Sequence, residues 1–213
     1  MKILCINTAF SVASLALKTE SVEDFLALDA NAKSSEKVLP AIDNLLQKNG
    51  VQIGEIDVIA VVVGPGSFTG VRIGSAIVKG LSVALPHIKV VAVNSLNLMA
   101  FEYAKLSPAQ NFCAIQNALG GRFFVREYAP DASAISEAKL VNELPAETKV
   151  GLKMEGLSEA DVFVDCAPDV LLEYSKSLIE KKVFVDAKTL EPVYIRLSQA
   201  EENLQKKEEN AEN

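Results

Sequence analysis

Gly64, Gly66, Ser67, Thr69 and Gly70 stand in one short run, Gly64-Pro65-Gly66-Ser67-Phe68-Thr69-Gly70-Val71-Arg72-Ile73-Gly74, whose composition can cradle an anion. Glycines let backbone N–H groups approach a ligand, a serine or threonine caps the helix that follows, and a helix N-terminus carries partial positive charge. The run is not a Walker loop, because Gly70 is followed by Val71 and Arg72 where lysine and a hydroxyl residue are needed. Nor is it a dinucleotide fingerprint: the glycines fall as G-x-G-x-x-x-G, and no acidic residue near position 85 could hold a ribose. On spacing alone, an anion contact at these five residues and a bare strand-to-helix turn are both open.

Other chemistry is sparse. His87 is the single histidine and follows Pro86 at a helix end, so a zinc or iron site could hardly be built around it. Cys5, Cys113 and Cys166 are widely spaced inside apolar runs and read as reduced core residues. No serine, cysteine or aspartate has a recognisable partner base, which leaves a protease without support. A net charge of -7 argues against direct grip on a phosphate backbone, so contact with nucleic acid should be indirect. The opening run is too short for a signal sequence, and no apolar stretch approaches the roughly 20 residues needed to cross a bilayer. The expectation is a cytoplasmic protein with no membrane contact.

These residues need elements to hold them. Residues 58–63 are apolar and rich in β-branched types, as in a strand covered on both faces. A helix should follow over 69–85. Its Gly70, Gly74, Ala76, Gly80 and Ala84 are small, and an interior glycine costs about 1 kcal/mol relative to alanine. Its Val71, Ile73, Ile77, Val78, Leu81 and Leu85 spread around more than one side, so one face can cover a sheet. The other face is left for a second helix of this chain or for a second protein. Upstream, residues 2–6 and 11–17 read as strands around an Asn7-Thr8-Ala9 turn, and Ser34 opens a helix over 34–48 with Val38, Ile42, Leu45 and Leu46 as its apolar stripe. Downstream come a strand at 89–93, a helix at 95–105, and a hairpin of 112–116 and 122–128 around Asn117. A strand at 161–166, a helix at 168–180 and a strand at 183–186 follow. The chain of 213 residues, 49% apolar and 23% charged, fits an α/β protein of two lobes, here 1–105 and 106–195. Residues 196–213 are a polar tail, read as a solvated helix end or a disordered segment.

The first hairpin, the Ser35-Glu36-x-x-Leu39-Pro40-x-Ile42 helix start, the glycine run through Gly74, Lys79-Gly80-Leu81 and the late Pro192-Val193-Tyr194-Ile195-Arg196 together resemble the TsaB (YeaZ) family over nearly the full length. The resemblance implies a two-lobed actin-like ATPase fold, ribonuclease H-like, with mixed sheets flanked by helices. It also implies a part in making threonylcarbamoyladenosine at position 37 of tRNA, beside a TsaD-type catalytic subunit and a TsaE-type ATPase, in a complex that uses ATP and magnesium.

The chain departs from the family pattern at three places. Asn7 stands in place of aspartate in the first turn, Ser34 in place of histidine before the Ser-Glu pair, and Asn117-Ala118-Leu119 in place of Asp-Ala-Arg in the second-lobe hairpin. In actin-like phosphotransferases, carboxylates at the first turn and the second-lobe start hold magnesium-bound water or take a proton. A neutral amide does neither well. The expectation is therefore a non-catalytic scaffold with no metal and no cofactor assigned to this chain, its alternatives being a small-molecule phosphotransferase or a self-associating homodimer. Helices 34–48 and 69–85 should meet the partner in a four-helix packing through Val38, Ile42, Leu45, Gly74, Ile77, Val78 and Leu81.

Overall fold

The computed structural model describes residues 1–28 and 34–193; Tyr194, Ile195, Arg196 and the expected tail lie outside the described residues. Its first sheet is built on β1 (Ile3–Asn7), buried at every position. β2 (Ser14–Lys18) and β3 (Glu23–Ala27) run antiparallel outward from it, with Cys5 opposite Ala16 and Ala16 opposite Phe25. α1 (Ser34–Lys48) then crosses to β4 (Val58–Gly64), parallel to β1 with Cys5 opposite Ala60. α2 (Phe68–Ala84) crosses to β5 (Lys89–Asn94), giving the order β3-β2-β1-β4-β5. Antiparallel neighbours are joined by short turns, whereas parallel neighbours need a crossover, and the two helices supply it.

Strand alternation sends the buried side chains two ways. Leu4, Ile6, Ile59 and Val61 pack with Val38, Ile42, Leu45 and Val78, beneath α1 and α2. Ile3, Cys5, Ala60 and Val62 face the opposite side, toward Leu96, Met99 and Leu171.

α3 (Ser95–Ala104), capped by Asn94 Oδ1 accepting from the N–H groups of Leu96 and Asn97, leads to the second sheet. That sheet holds β6 (Phe112–Asn117), β7 (Phe123–Tyr128), β8 (Lys139–Val141), β9 (Thr148–Leu152) and β10 (Val162–Val164) in the order β10-β9-β6-β7-β8. The pattern repeats the first sheet, so the β6–β7 turn is the counterpart of the β1–β2 turn. The expected mixed sheets flanked by helices are thus present.

α4 (Pro168–Glu180) starts with proline at its first turn, where the missing N–H costs nothing. Grouped with the second lobe by sequence, it packs against β1, β2, β3 and β5 of the first sheet. Its buried face of Leu171, Leu172, Ser175 and Ile179 needs an apolar sheet surface, and the side of that sheet away from α1 and α2 supplies one. The strand expected at 183–186 reduces to a single bridge between Val185 and Val90, and Val193 N–H reaches the Val63 carbonyl at 2.8 Å.

One apolar cluster joins both sheets, with Ala9 and Phe10 of the first in the same core as Phe112, Ala118 and Tyr128 of the second. α3 stitches them further: Asn97 Oδ1 accepts from Tyr128 Oη at 2.7 Å and from Arg126 Nη1 at 3.1 Å. Glu102 Oε2 accepts from Cys166 N–H at 2.6 Å, and Lys105 pairs with Glu173 of α4. All three cysteines are free and buried, and burial pushes the Cys5 and Cys113 thiols up to about 12, which keeps them protonated.

Candidate interaction surface and the turns behind it

The glycine run folds around the chain's own first turn. Gly64 sits at φ +106, a conformation side-chain-bearing residues resist. Asn7 Oδ1 accepts from Ala9 N–H at 3.0 Å, tightening the β1–β2 turn, and the Ala9 carbonyl then accepts from Ser67 N–H at 2.8 Å. Thr8 Oγ1 donates to the Gly70 carbonyl at 2.6 Å. A Cβ on Gly66 would overlap the Ala9 carbonyl oxygen, and one on Gly70 the Thr8 carbonyl oxygen; one on Gly74 would lie 2.6 Å from Thr8 Oγ1. Three glycines at spacings of four thus clear a channel for residues 8 and 9.

This arrangement decides what the helix terminus can receive. Ser67 caps α2 by accepting from Gly70 N–H at 3.2 Å, while its own N–H is taken by Ala9. The space over Gly66 and Gly70 is filled by two carbonyl oxygens, whose partial negative charge opposes an anion. A phosphate drawn to Gly64, Gly66, Ser67, Thr69 and Gly70 would meet these carbonyl oxygens on the Cβ side of Gly66 and Gly70. Thr69 itself is exposed.

The second turn is built alike. Asn117 Oδ1 accepts from Leu119 N–H at 2.7 Å, so both asparagines spend their amide oxygens on their own turns. Glu155, from the loop after β9, accepts from Gln116 Nε2 at 3.0 Å and from Asn117 N–H at 3.3 Å. Burial raises its carboxyl above the usual range, against the lowering effect of those two donors. Among the described residues no group of three or more His, Cys, Asp or Glu side chains could hold a metal ion. Nor is any described helix long and apolar enough to cross a membrane.

The seven residues expected at a partner face divide sharply. Val38, Ile42 and Leu45 are buried between α1 and the first sheet, and Val78 is 0% exposed beneath α2. Gly74 is buried against Thr8 and Val61. Ile77 and Leu81 are half-buried along the flank. The outward face of α2 instead carries Phe68, Arg72, Ala76, Gly80 and Val83, the last 77% exposed. The Arg72 guanidinium lies 3.7 Å from the Phe68 ring centroid, a cation–π pair at the head of the helix. A Cβ on Gly80 would meet nothing within 4 Å. α1 lies beside α2 and adds Leu39, 54% exposed, among Glu36, Lys37, Asp43 and Gln47. Sequence reasoning did not single out Phe68, Val83 or Leu39 as surface residues. The signal for the α2 face was the 72-76-80-84 register, offset by two residues from the inward 70-74 pair.

Residues 28–118 match the family described as TsaD, tRNA N6-adenosine threonylcarbamoyltransferase. The chain is 28% identical over 233 aligned residues to the Escherichia coli K12 tRNA threonylcarbamoyladenosine biosynthesis protein TsaB, covering 98% of this chain and 100% of that one. The Haemophilus influenzae protein of the same name is 24% identical, covering 92% of this chain and 94% of its own. A solved Pseudomonas aeruginosa protein, described as uncharacterized with similarity to peptidase YEAZ, superimposes with a TM-score of 0.76 at 24% identity over 92% of this chain and 99% of that one. That likeness carries the fold, the two-lobed actin-like α/β arrangement.

Proposed function

We propose that the chain, similar over nearly its whole length to proteins named TsaB, serves the making of threonylcarbamoyladenosine at tRNA position 37 as a non-catalytic scaffold docking a TsaD-type catalytic subunit. The observation that carries this reading is the outer face of α2. Phe68, Ala76, Gly80 and Val83 form an exposed apolar and small-residue surface on a helix whose inner face is already locked by Thr8 and Val61. Small residues let a second helix approach closely, and the adjacent α1 carries an exposed Leu39. Two helices from each partner would give a four-helix packing. In it Ile77 and Leu81 line the flank, while Val38, Ile42, Leu45, Gly74 and Val78 support the face from within.

The turns support a reading without turnover. Phosphoryl transfer needs a carboxylate to hold metal-bound water or accept a proton, and Asn7 and Asn117 offer amides already committed to Ala9 and Leu119. ATP and magnesium belong in this reading to the complex, with a TsaE-type ATPase, and tRNA is met through the partner in the cytoplasm. Titrating the chain with the TsaD-type protein of its own organism, followed by light scattering, tests the reading. A defined complex supports it, and separate species at micromolar concentration contradict it.

The same face favours a second reading, an isologous homodimer when no partner is present, because small and apolar residues at one helical spacing can face their own copy. Light scattering of the pure chain, with and without the partner, separates a dimer that exchanges from one that does not.

A further inference from the structure

Asn49 is the one asparagine in the sequence that glycine follows, and the pair sits where α1 ends, with Gly50 at φ +64. With no side chain on the next residue, such an asparagine is prone to lose its amide. The Gly50 nitrogen gives up its proton to hydroxide and bonds to Asn49 Cγ, the Cγ–Nδ2 bond breaks, and the amide leaves as ammonia after taking a proton from water. Water then opens the five-membered ring and leaves aspartate or its isomer in the chain. We propose that Asn49 is a deamidation site which the junction of α1 with β3 holds shut, and whose modification breaks that same junction.

Both nitrogens of the reaction are already engaged. The Gly50 N–H donates to the Gln47 carbonyl at 3.0 Å and the Asn49 N–H to the Leu46 carbonyl at 3.1 Å, so the last turn of α1 fixes the peptide that ring closure must rotate. Asn49 Nδ2 donates to the Leu45 carbonyl at 2.8 Å, four residues back, which folds the side chain along the helix and away from Gly50. It also donates to Asp24 Oδ2 of β3 at 2.8 Å. Attack therefore requires the end of α1 to open and both side-chain bonds to break, a local unfolding event.

The product does not fit the junction. A carboxylate has no hydrogen to give the Leu45 carbonyl or Asp24 Oδ2, and it sets a second negative charge against Asp24. Lys48, whose Nζ lies 2.8 Å from Asp24 Oδ2, would then face two carboxylates. The Asp24 side chain is 16% exposed, so water screens the repulsion only in part. The disturbance falls on the turn that carries Leu45 and Leu46, both buried in the core beneath α1.

The test holds the full chain at pH 8, folded in buffer and unfolded in guanidinium chloride, and follows residue 49 by mass spectrometry through the change from amide to acid. The folded chain should convert more slowly by about tenfold or more, the margin that a local opening equilibrium sets. Asp24→Ala should speed conversion in buffer and leave the unfolded rate unchanged. Asn49→Asp, the product itself, should melt several degrees below wild type. Equal rates in the folded and unfolded chain, or an unchanged folded rate in Asp24→Ala, overturn the shut site, and an Asn49→Asp chain that melts with wild type overturns the broken junction. The wild-type comparison decides even if Asp24→Ala fails to fold.

Discussion

Thr8 and Gly70 are tied in two ways at once: Thr8 Oγ1 donates to the Gly70 carbonyl at 2.6 Å, and the Thr8 carbonyl oxygen occupies the place a Gly70 side chain would need. The pair shows that the glycine run, which resembles a ligand cradle, is shaped around the chain's own backbone. Gly70→Ala should therefore destabilise the fold by about 3 kcal/mol through overpacking against rigid backbone. Thr8→Val, nearly isosteric, should cost about 1 kcal/mol by removing one buried hydrogen bond. Urea denaturation of the three proteins measures both, and a Gly70→Ala protein as stable as wild type would contradict the packing.

Gly80 belongs to the same helix and should behave in the opposite sense. Its missing side chain faces open space, so Gly80→Ala should stabilise the isolated chain by up to about 1 kcal/mol through helix propensity. Thermal melts of the pure monomer check this, and a loss of stability would mean that the face is already covered.

Asp24 anchors β3 to the end of α1, pairing with Lys48 Nζ at 2.8 Å and accepting from Asn49 Nδ2 at 2.8 Å. The hydrogen bond from Lys48 first, then that from Asn49, holds its carboxyl below the usual range. A depressed folded-state pKa contributes stability that is present above the unfolded value, about 3.9, and is lost as pH falls through the folded one. Wild type should lose stability on acidification across that window more steeply than Asp24→Asn. Equal slopes in denaturation series between pH 5 and 2.5 would remove the role assigned to the pair.

Calorimetry with ATP and magnesium should show no tight binding to the isolated chain, since carbonyls of Thr8 and Ala9 fill the glycine turn. Micromolar affinity, abolished by substitution at Ser67 or Thr69, would mean that the β1–β2 turn yields to a nucleotide.

Much of the fold was legible because its signals are local. The β-branched run of β4, the Ser67 cap and the glycine turn mark their elements directly, and α1 and α4 begin where their stripes begin. β3 was missed: Glu23, Asp24 and Ala27 are poor strand formers, and an edge strand with one half-covered face has little apolar pattern to show. β8 and β9 were lost in the same way, short and flanked by polar turns. The docking of α4 onto the first sheet is a non-local choice that its own sequence does not reveal. The surface of α2 was harder still. Helical spacing groups Gly70 with Gly74, and Ala76 with Gly80, but which group turns inward depends on Thr8, sixty-two residues before Gly70, and on Val61.

The most direct test of the scaffold reading substitutes Gly80→Arg, which adds a long charged side chain where the helix now meets open space. The chain should fold as well as wild type by circular dichroism and melting, and should lose its complex with the TsaD-type protein in light scattering. A Gly80→Arg chain that still forms the full complex would show that the outer face of α2 is not where the partner docks.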